Sequence, residues 1–306
     1  MVIIQMKGGL GNQLFQYALY RQLRSLGRNV KMDDATGFRD DMQRDPALLA
    51  LGLTYERASQ EEIIKITDSY MDLASRIRRK LTGRRTSRYD EKDGNFDPYV
   101  LKTEDAYLVG YWQSEKYFPD PEVRRQLKDE ILAALSRCAA KDGGMEGEGQ
   151  SGQGPTVSLH IRRGDYLAPG TVQTFGGICT DEYYEKAVRL ILGKYPGARF
   201  IVFSNDREYA AHFCESKERI FGSGSFVPAR GSRAGEGAGE DALTADAAQL
   251  YGMAQCDHHI LANSSFSWWG AWLGTGMKIV PGRWLNNKNA EDIYTDDMLR
   301  IGADSL

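Results

Sequence analysis

Apolar residues recur along the chain in two patterns, short runs typical of buried strands and spacings of three or four typical of amphipathic helices. An apolar run at residues 2–6 predicts a strand, and the glycines at 7–11 predict a turn. Helical spacing over 12–26 and a second apolar run at 29–33 follow. This order predicts a βαβ unit at the start of the chain.

The same alternation returns after residue 155. Strands are expected at 156–161, 199–203, 257–262 and 278–281, with helices at 181–192, 243–254 and 265–273. The intervening half reads less regularly, with helices expected at 61–66, 73–81 and 120–139. Strands alternating with helices in both halves predict an α/β protein with two parallel sheets.

Two glycine-rich stretches interrupt these patterns. Residues 141–155 hold six glycines and almost no apolar side chain, so we place a domain boundary there. The predicted domains are 1–150 and 151–306, and an arrangement in which the final segment packs back on the first domain stays open. Residues 222–240 interrupt a regular region, and a mobile loop is expected there.

Composition excludes several classes of protein. Charged residues make up 26% of the chain and the net charge is −3, which argues against a nucleic-acid binder. None of the four cysteines forms a CxxC pair, so neither a zinc site nor a disulfide framework is expected. Met1 precedes no charged segment with an apolar core, and no run of 18 apolar residues occurs, so we expect a soluble cytoplasmic protein.

One basic segment departs from this balance. Seven Lys or Arg and no acidic residue lie between Leu73 and Tyr89. Such a stretch is usually a solvated helix face. Contact of Arg76–Arg88 with anionic lipid head groups, peripheral to the inner membrane, is the alternative.

Ligands of parallel sheets bind beyond the carboxyl ends of strands, and three loops there carry candidate chemistry. In the first loop, Gly9 and Gly11 would let a ligand approach the backbone, and Asn12 stands where a helix cap is expected. A plain tight turn is the alternative. Leu14 occupies the position where a dinucleotide fingerprint needs Gly or Ala, so an NAD-dependent oxidoreductase is only weakly indicated.

The second loop follows the strand at 156–161. Because alternate side chains of a strand share a face, His160 and Arg162 point one way and Arg163 the other. Arg162 is suited to a two-pronged contact with a phosphate. Arg163 is expected to hold the loop, with Asp165 as its candidate partner.

The third loop opens a helix with Asn-Ser-Ser. Ser264 or Ser265 would cap that helix, and the same hydroxyls would also suit a diphosphate. Phe266 and Trp269 are spaced as core residues. A sugar-stacking role for Trp268 or Trp272 is the less favoured alternative to packing.

Together the motifs resemble the α-1,2-fucosyltransferases of glycosyltransferase family 11. The residues that carry the resemblance are "GGLGNQLFQYA" at 8–18, "HIRRGDY" at 160–166, "FSND" at 203–206 and "NSSFSWWGAWL" at 263–273. The resemblance implies a GT-B architecture, with two Rossmann-like domains facing a cleft. It also implies inverting, metal-independent transfer from GDP-β-L-fucose to the 2-hydroxyl of a terminal β-galactose of a glycan, without a cofactor.

The resemblance also assigns residues. His160 and Arg162 would contact the diphosphate, and the glycine loop would face the donor and the reacting sugar, with Arg162, Asn12 and His160 as catalytic residues. The implied donor-binding set is Gly9, Gly11, His160, Arg162, Asp257, Ser264, Ser265 and Phe266. Asp165 and Asp206 remain candidates for a base or for loop support, and the His258-His259 pair is expected to be structural.

Overall fold

The computed structural model describes residues 1–39, 41, 44–141, 154–222, 224–229 and 240–302. The chain forms two compact units, Met1–Leu127 and Lys128–Leu306. Their division falls inside a long helix and not in the stretch 141–155, of which residues 142–153 lie outside the described residues. The second half of that helix belongs to the second unit, where the Lys128 ammonium donates to the Gly274 carbonyl at 3.1 Å.

The first unit is built on a four-stranded parallel sheet with the order β2-β1-β4-β3. Its strands are β1 Val2–Gln5, β2 Val30–Asp33, β3 Arg88–Asp90 and β4 Ala106–Val109. Its helices are α1 Leu10–Ser25, α2 Gln60–Thr67, α3 Leu73–Thr82, α4 Tyr99–Lys102 and the start of α5 Pro121–Lys141.

The second unit holds a six-stranded parallel sheet with the order β10-β9-β8-β5-β6-β7. Its strands are β5 Thr156–Ile161, β6 Arg199–Ser204, β7 Phe226–Pro228, β8 His258–Ile260, β9 Lys278–Pro281 and β10 Met298–Ile301. Its helices, beside the end of α5, are α6 Val172–Phe175, α7 Asp181–Lys194, α8 Arg207–Phe221, α9 Glu240–Ala254 and α10 Ser265–Leu273.

The predicted α/β class with two parallel sheets is confirmed. Several short elements were not predicted, among them β4, whose four residues are all buried, and the edge strand β7. β7 corrects the expectation of a loop throughout 222–240, since Phe226 is buried and stacks on Phe200 with ring centroids 4.7 Å apart. Residues 223 and 230–239 of that stretch lie outside the described residues. β10 pairs with β9, so the final strand extends the second sheet.

Within the described ranges, no helix combines the length and the apolar character that crossing a bilayer requires.

Candidate active site

Three neighbouring strands of the second sheet bring the candidate motifs together. β5 lies between β8 and β6, and all three run parallel. Their carboxyl ends therefore meet at one edge of the sheet. The "RRGD" residues leave β5, the "ND" residues leave β6, and the "ANSS" residues follow β8. Motifs that are far apart in the sequence thus become adjacent loops.

Arg162 is held by a carboxylate three residues further along the chain. Its Nε donates to Asp165 Oδ1 at 3.1 Å and its Nη2 donates to Asp165 Oδ2 at 2.9 Å. Its guanidinium carbon also lies 5.6 Å from the centroid of the Tyr166 ring. A guanidinium carries five N–H donors, so this two-point contact orients the group and leaves three donors for a ligand.

Arg163 has a different partner from the one the sequence suggested. Its Nε donates to Asp206 Oδ2 at 3.2 Å, and its guanidinium lies 3.8 Å from the Tyr209 ring centroid. The pairing of Arg163 with Asp165 is therefore wrong, because Asp165 belongs to Arg162. Asp206 also caps α8 by accepting from the Tyr209 amide at 2.9 Å. Both aspartates support loops. Because each carboxylate is paired with an arginine, neither is well suited to act as a general base.

The turn that connects the two arginines to Asp165 depends on a glycine. Gly164 has φ +60°, and a Cβ there would come within 2.8 Å of the Asn205 amide nitrogen. Asn205 in turn accepts from the Arg163 amide at 2.9 Å and donates to the Arg163 carbonyl at 3.2 Å. The left-handed backbone at Gly164 lets the chain reverse so that Asp165 meets Arg162.

His160 is buried at the end of β5 and is electrically neutral. Only 2% of the residue is exposed, and burial, reinforced by the Arg162 guanidinium, lowers the pKa of His160 to about 3. Among the described residues its buried Nδ1 has no hydrogen-bond partner. A histidine this weakly basic suits hydrogen bonding to a ligand better than proton abstraction near pH 7.

The third loop contacts the second directly. The Phe266 ring centroid lies 5.7 Å from that of His160, and the Tyr166 hydroxyl donates to the Asn263 carbonyl at 3.0 Å. Ser264 caps α10 by accepting from the Phe266 amide at 3.3 Å. Ser264, Ser265 and Phe266 therefore stand at the helix N-terminus beside His160, where unpaired amides favour an anion.

The tryptophans of the third loop belong to the core. Trp268 and Trp269 are fully buried, and Trp272 is 9% exposed. The Trp268 indole donates to the Ile293 carbonyl at 2.8 Å. The sugar-stacking alternative for Trp268 or Trp272 is therefore wrong, since a stacking platform must present its face to the ligand.

Asp257 lies at the opposite edge of the sheet from Arg162. Its Oδ2 accepts from the Thr156 amide at 2.8 Å and from the Thr156 hydroxyl at 2.9 Å, where β5 and β8 begin. Arg162 follows the end of β5, so six residues of extended chain, about 20 Å, separate it from Thr156. The assignment of Asp257 to the nucleotide is therefore corrected, and the residue links two strand starts.

A carboxylate that the sequence did not single out takes part in the electrostatics of the site. Burial raises the pKa of Asp246, on α9, to about 6, and the Arg162 guanidinium opposes that rise. Among the described residues none donates a hydrogen bond to it. The sequence feature that could have pointed to Asp246 is a single acid among alanines in "TADAAQ". A raised pKa close to an arginine makes Asp246 a candidate for a functional position.

We expect Asp246→Asn to stabilise the protein without weakening its binding of GDP, because the carboxylate that is removed would repel a diphosphate at Arg162. The raised pKa means that the folded state binds the proton more tightly, so ionisation above pH 6 costs stability that asparagine does not lose. The gain is about 3 kcal/mol at pH 8. It should shrink as the pH falls to 5, where the wild-type carboxyl is protonated. Thermal unfolding at both pH values, with and without GDP, checks this.

A matched control lies about one turn further along the same helix, where Gln249 is 8% exposed. Gln249→Glu would place a new acid on α9 and should lower the melting temperature, more at pH 8 than at pH 5. Weaker GDP binding by Asp246→Asn, or a loss of stability at pH 8, would contradict the prediction.

In the first unit the helix after the glycine loop begins two residues earlier than predicted. α1 starts at Leu10 with Gly9 as its N-cap, so Asn12 lies in the first helical turn and does not cap it. Asn12 Oδ1 accepts from the Gln113 amide at 2.6 Å. Gly8, at φ +79°, is the residue whose backbone requires glycine. Gly9 has φ −71°, and among the described residues a Cβ there would meet nothing nearer than 3.9 Å, so these surroundings would accept a side chain.

The adjacent histidines of β8 have structural roles, as predicted. His258 stacks on Tyr195 with centroids 4.3 Å apart, and His259 Nδ1 lies 2.8 Å from the Ser158 hydroxyl. In the part of the chain that the structure describes, no group of three or more His, Cys, Asp or Glu is placed to hold a metal ion.

Comparisons with known proteins agree with the motifs. An alpha-1,2-colitosyltransferase of Escherichia coli is 27% identical over 98% of this chain and 98% of its own length. The O-antigen biosynthesis glycosyltransferase WbnK of Escherichia coli is 27% identical over 97% of this chain and 99% of its own. A galactoside alpha-(1,2)-fucosyltransferase 1 of Saimiri sciureus is 29% identical over 42% of this chain and 32% of its own.

The family model described as glycosyl transferase family 11 matches residues 86–300, well over half of the chain. The match contains β5, the arginine loop, the "FSND" residues and the α10 N-terminus. Because the matched region includes the loops at the sheet edge, the geometry above and the family model concern the same residues. The chain belongs to glycosyl transferase family 11.

Proposed function

We propose that this glycosyltransferase moves L-fucose from GDP-β-L-fucose to the 2-hydroxyl of a terminal β-galactose, with inversion and without a metal. The observation that carries the proposal is the oriented guanidinium of Arg162, beside neutral His160 and the Ser264 cap, at one sheet edge. The galactoside alpha-(1,2)-fucosyltransferase relative supports fucose as the transferred sugar and a galactoside as the acceptor class.

The chemistry of the transfer explains the residue types. An acceptor hydroxyl attacks the anomeric carbon, the bond to the β-phosphate breaks, and negative charge develops on the departing GDP. Arg162, the Ser264 and Ser265 hydroxyls and the first amides of α10 would stabilise that charge. Preorganised donors of this kind are each worth about 3 kcal/mol. GDP would thus leave while protein cations and dipoles stabilise its negative charge.

The base that accepts the hydroxyl proton is not assigned. Asp165 and Asp206 are both engaged with arginines. Gly9, Gly11 and Asn12 of the first unit are proposed to contact the donor and the reacting sugar, as the family resemblance implies. We infer a cytoplasmic reaction, where sugar nucleotides are made.

A colitosyl donor is the second candidate, because the colitosyltransferase relative aligns over 98% of this chain. Colitose differs from fucose in lacking the 3-hydroxyl. To discriminate between the two sugars, the site would need a polar group that forms a hydrogen bond with only one of them. The oxidoreductase alternative uses only the glycine loop, and family membership favours glycosyl transfer instead.

The test is a product analysis. The purified chain is incubated with a panel of galactosides and GDP-fucose or GDP-colitose, and products are identified by mass spectrometry and by the linkage and anomeric configuration from NMR. We expect an α-1,2-fucosylated galactoside, formed equally well in EDTA. Preferential colitosyl transfer would correct the donor, and stabilisation by NAD without GDP release would overturn the proposal.

A further inference from the structure

One helix of the first unit presents its apolar side to solvent. No residue of α3, Leu73–Thr82, is buried. Leu73, Ile77 and Leu81 follow each other at four-residue spacing, so they form one stripe. They are 70%, 51% and 78% exposed, and Met71 before the helix is 81% exposed. A globular protein usually turns such a stripe inward.

The opposite side of α3 is tied to the protein by two arginines. Arg78 forms an ion pair with the buried carboxylate of Asp68, and Arg79 donates to the Asp68 carbonyl at 3.1 Å and the Tyr70 carbonyl at 2.6 Å. Asp68 ends α2 in a left-handed conformation and also accepts from the Arg85 amide at 2.9 Å. The Arg78 bond, followed by the Arg85 amide, lowers the pKa of Asp68. The fold therefore fixes the apolar stripe outward.

Basic residues border this stripe. Arg76 and Lys80 are exposed and lie four residues apart along one side of it, and exposed Arg84 follows the helix. No acidic residue occurs between Leu73 and Tyr89, although the whole chain carries a net charge of −3. Positive charge is thus concentrated where the apolar residues are exposed.

We propose that α3, with Met71 and Arg84, is a docking surface for an anionic lipid bilayer. An apolar stripe flanked by Lys and Arg is the arrangement of helices that lie in the membrane interface. Charge complementarity selects an anionic surface, where each basic residue raises the affinity about fivefold. At ten residues the helix is about 15 Å long, so the contact is reversible and needs both the apolar and the basic side chains.

Vesicle sedimentation tests the surface without donor or acceptor, so its result is separate from that of the transfer assay. The full chain is mixed with vesicles of phosphatidylcholine alone or with 30% phosphatidylglycerol. We expect binding to the anionic vesicles only. Arg76→Glu/Lys80→Glu should weaken it by at least about 30-fold, and Leu73→Ser/Ile77→Ser/Leu81→Ser by at least about tenfold.

Matched controls come from exposed residues elsewhere. Leu26→Ser/Ile220→Ser removes apolar side chains that are 50% and 49% exposed, and Lys102→Glu/Lys194→Glu makes the same change in net charge. Both should bind like the wild type, and melting temperatures confirm that all variants fold. Binding that is absent, that is equal on neutral vesicles, or that the controls weaken equally would overturn the proposal. The proposal would also be overturned if the protein forms a dimer that the α3 substitutions dissociate and does not bind to vesicles.

Discussion

Replacing Arg162 with alanine should reduce transfer by at least about 1000-fold, with the fold intact. The guanidinium is proposed to neutralise the charge on the departing diphosphate, and Asp165 already orients it through bonds of 3.1 and 2.9 Å. Arg162→Lys keeps the charge and loses the planar fork, so transfer should still fall by about 100-fold. Initial rates of GDP release with a galactoside acceptor measure both effects.

Two further variants make the Arg162 result specific. Arg189→Ala removes an exposed arginine that pairs with Glu185 along α7, and it should leave the rates unchanged. Asp165→Asn leaves Arg162 in place without its anionic partner, and transfer should fall by about 10- to 100-fold, as for other residues that orient a charged ligand-binding group. Near-normal turnover of folded Arg162→Ala would remove the guanidinium from the mechanism.

Adding a side chain at Gly9 should abolish most transfer without unfolding the protein. The backbone at Gly9, φ −71° and ψ 174°, suits any residue, and the nearest atom to an added Cβ is Arg44 Nε at 3.9 Å. The structure around Gly9 therefore does not itself require glycine, and we propose that close approach of the reacting sugar does. A displacement of about 1 Å can cost 100-fold in rate. We expect losses of at least that size for Gly9→Val, with a smaller loss for Gly9→Ala.

The preceding residue supplies the contrasting control. At Gly8 the backbone is left-handed, φ +79°, and an added Cβ would lie 2.6 Å from Asn12 Nδ2. Gly8→Ala should therefore lower the melting temperature by several degrees, since a left-handed residue other than glycine costs about 1–2 kcal/mol. Gly9→Ala should leave it within about 2 °C. Unaltered kinetics in Gly9→Val would exclude close approach of the sugar to this residue.

Periodicity predicted the elements that bury one clear face or one apolar run. β5 and its arginine loop were located to the residue because "TVSLHI" alternates polar and apolar residues and "RRGD" is charged. The sequence patterns did not predict α8 and β4, for two different reasons. α8 has six charged residues among fifteen, which obscures its apolar face, and β4 has only four residues, too short a pattern to stand out.

The errors in the site concern partners in space. Asp165 lies nearest to Arg163 in sequence, yet the left-handed turn at Gly164 returns it to Arg162 and leaves Arg163 to Asp206. Asp257 lies only a short way before Ser265 in the sequence, but a whole strand, β8, intervenes and carries it to the far edge of the sheet. The separation of two residues in the sequence shows neither the reversal of the chain at Gly164 nor the length of the strand β8.

By itself, the sequence determined the α/β class, the three loops and the residue types suited to a diphosphate, because strand and helix periods and local glycines are properties of short segments. Only the tertiary structure decided which loops are neighbours, since the order β8-β5-β6 is set by long-range pairing. It also decided that His160 is neutral, that Asp246 lies close enough to Arg162 for the guanidinium to oppose the rise in its pKa, and that α3 faces outward. Burial and electrostatic proximity depend on the packing of distant segments, which no local pattern contains.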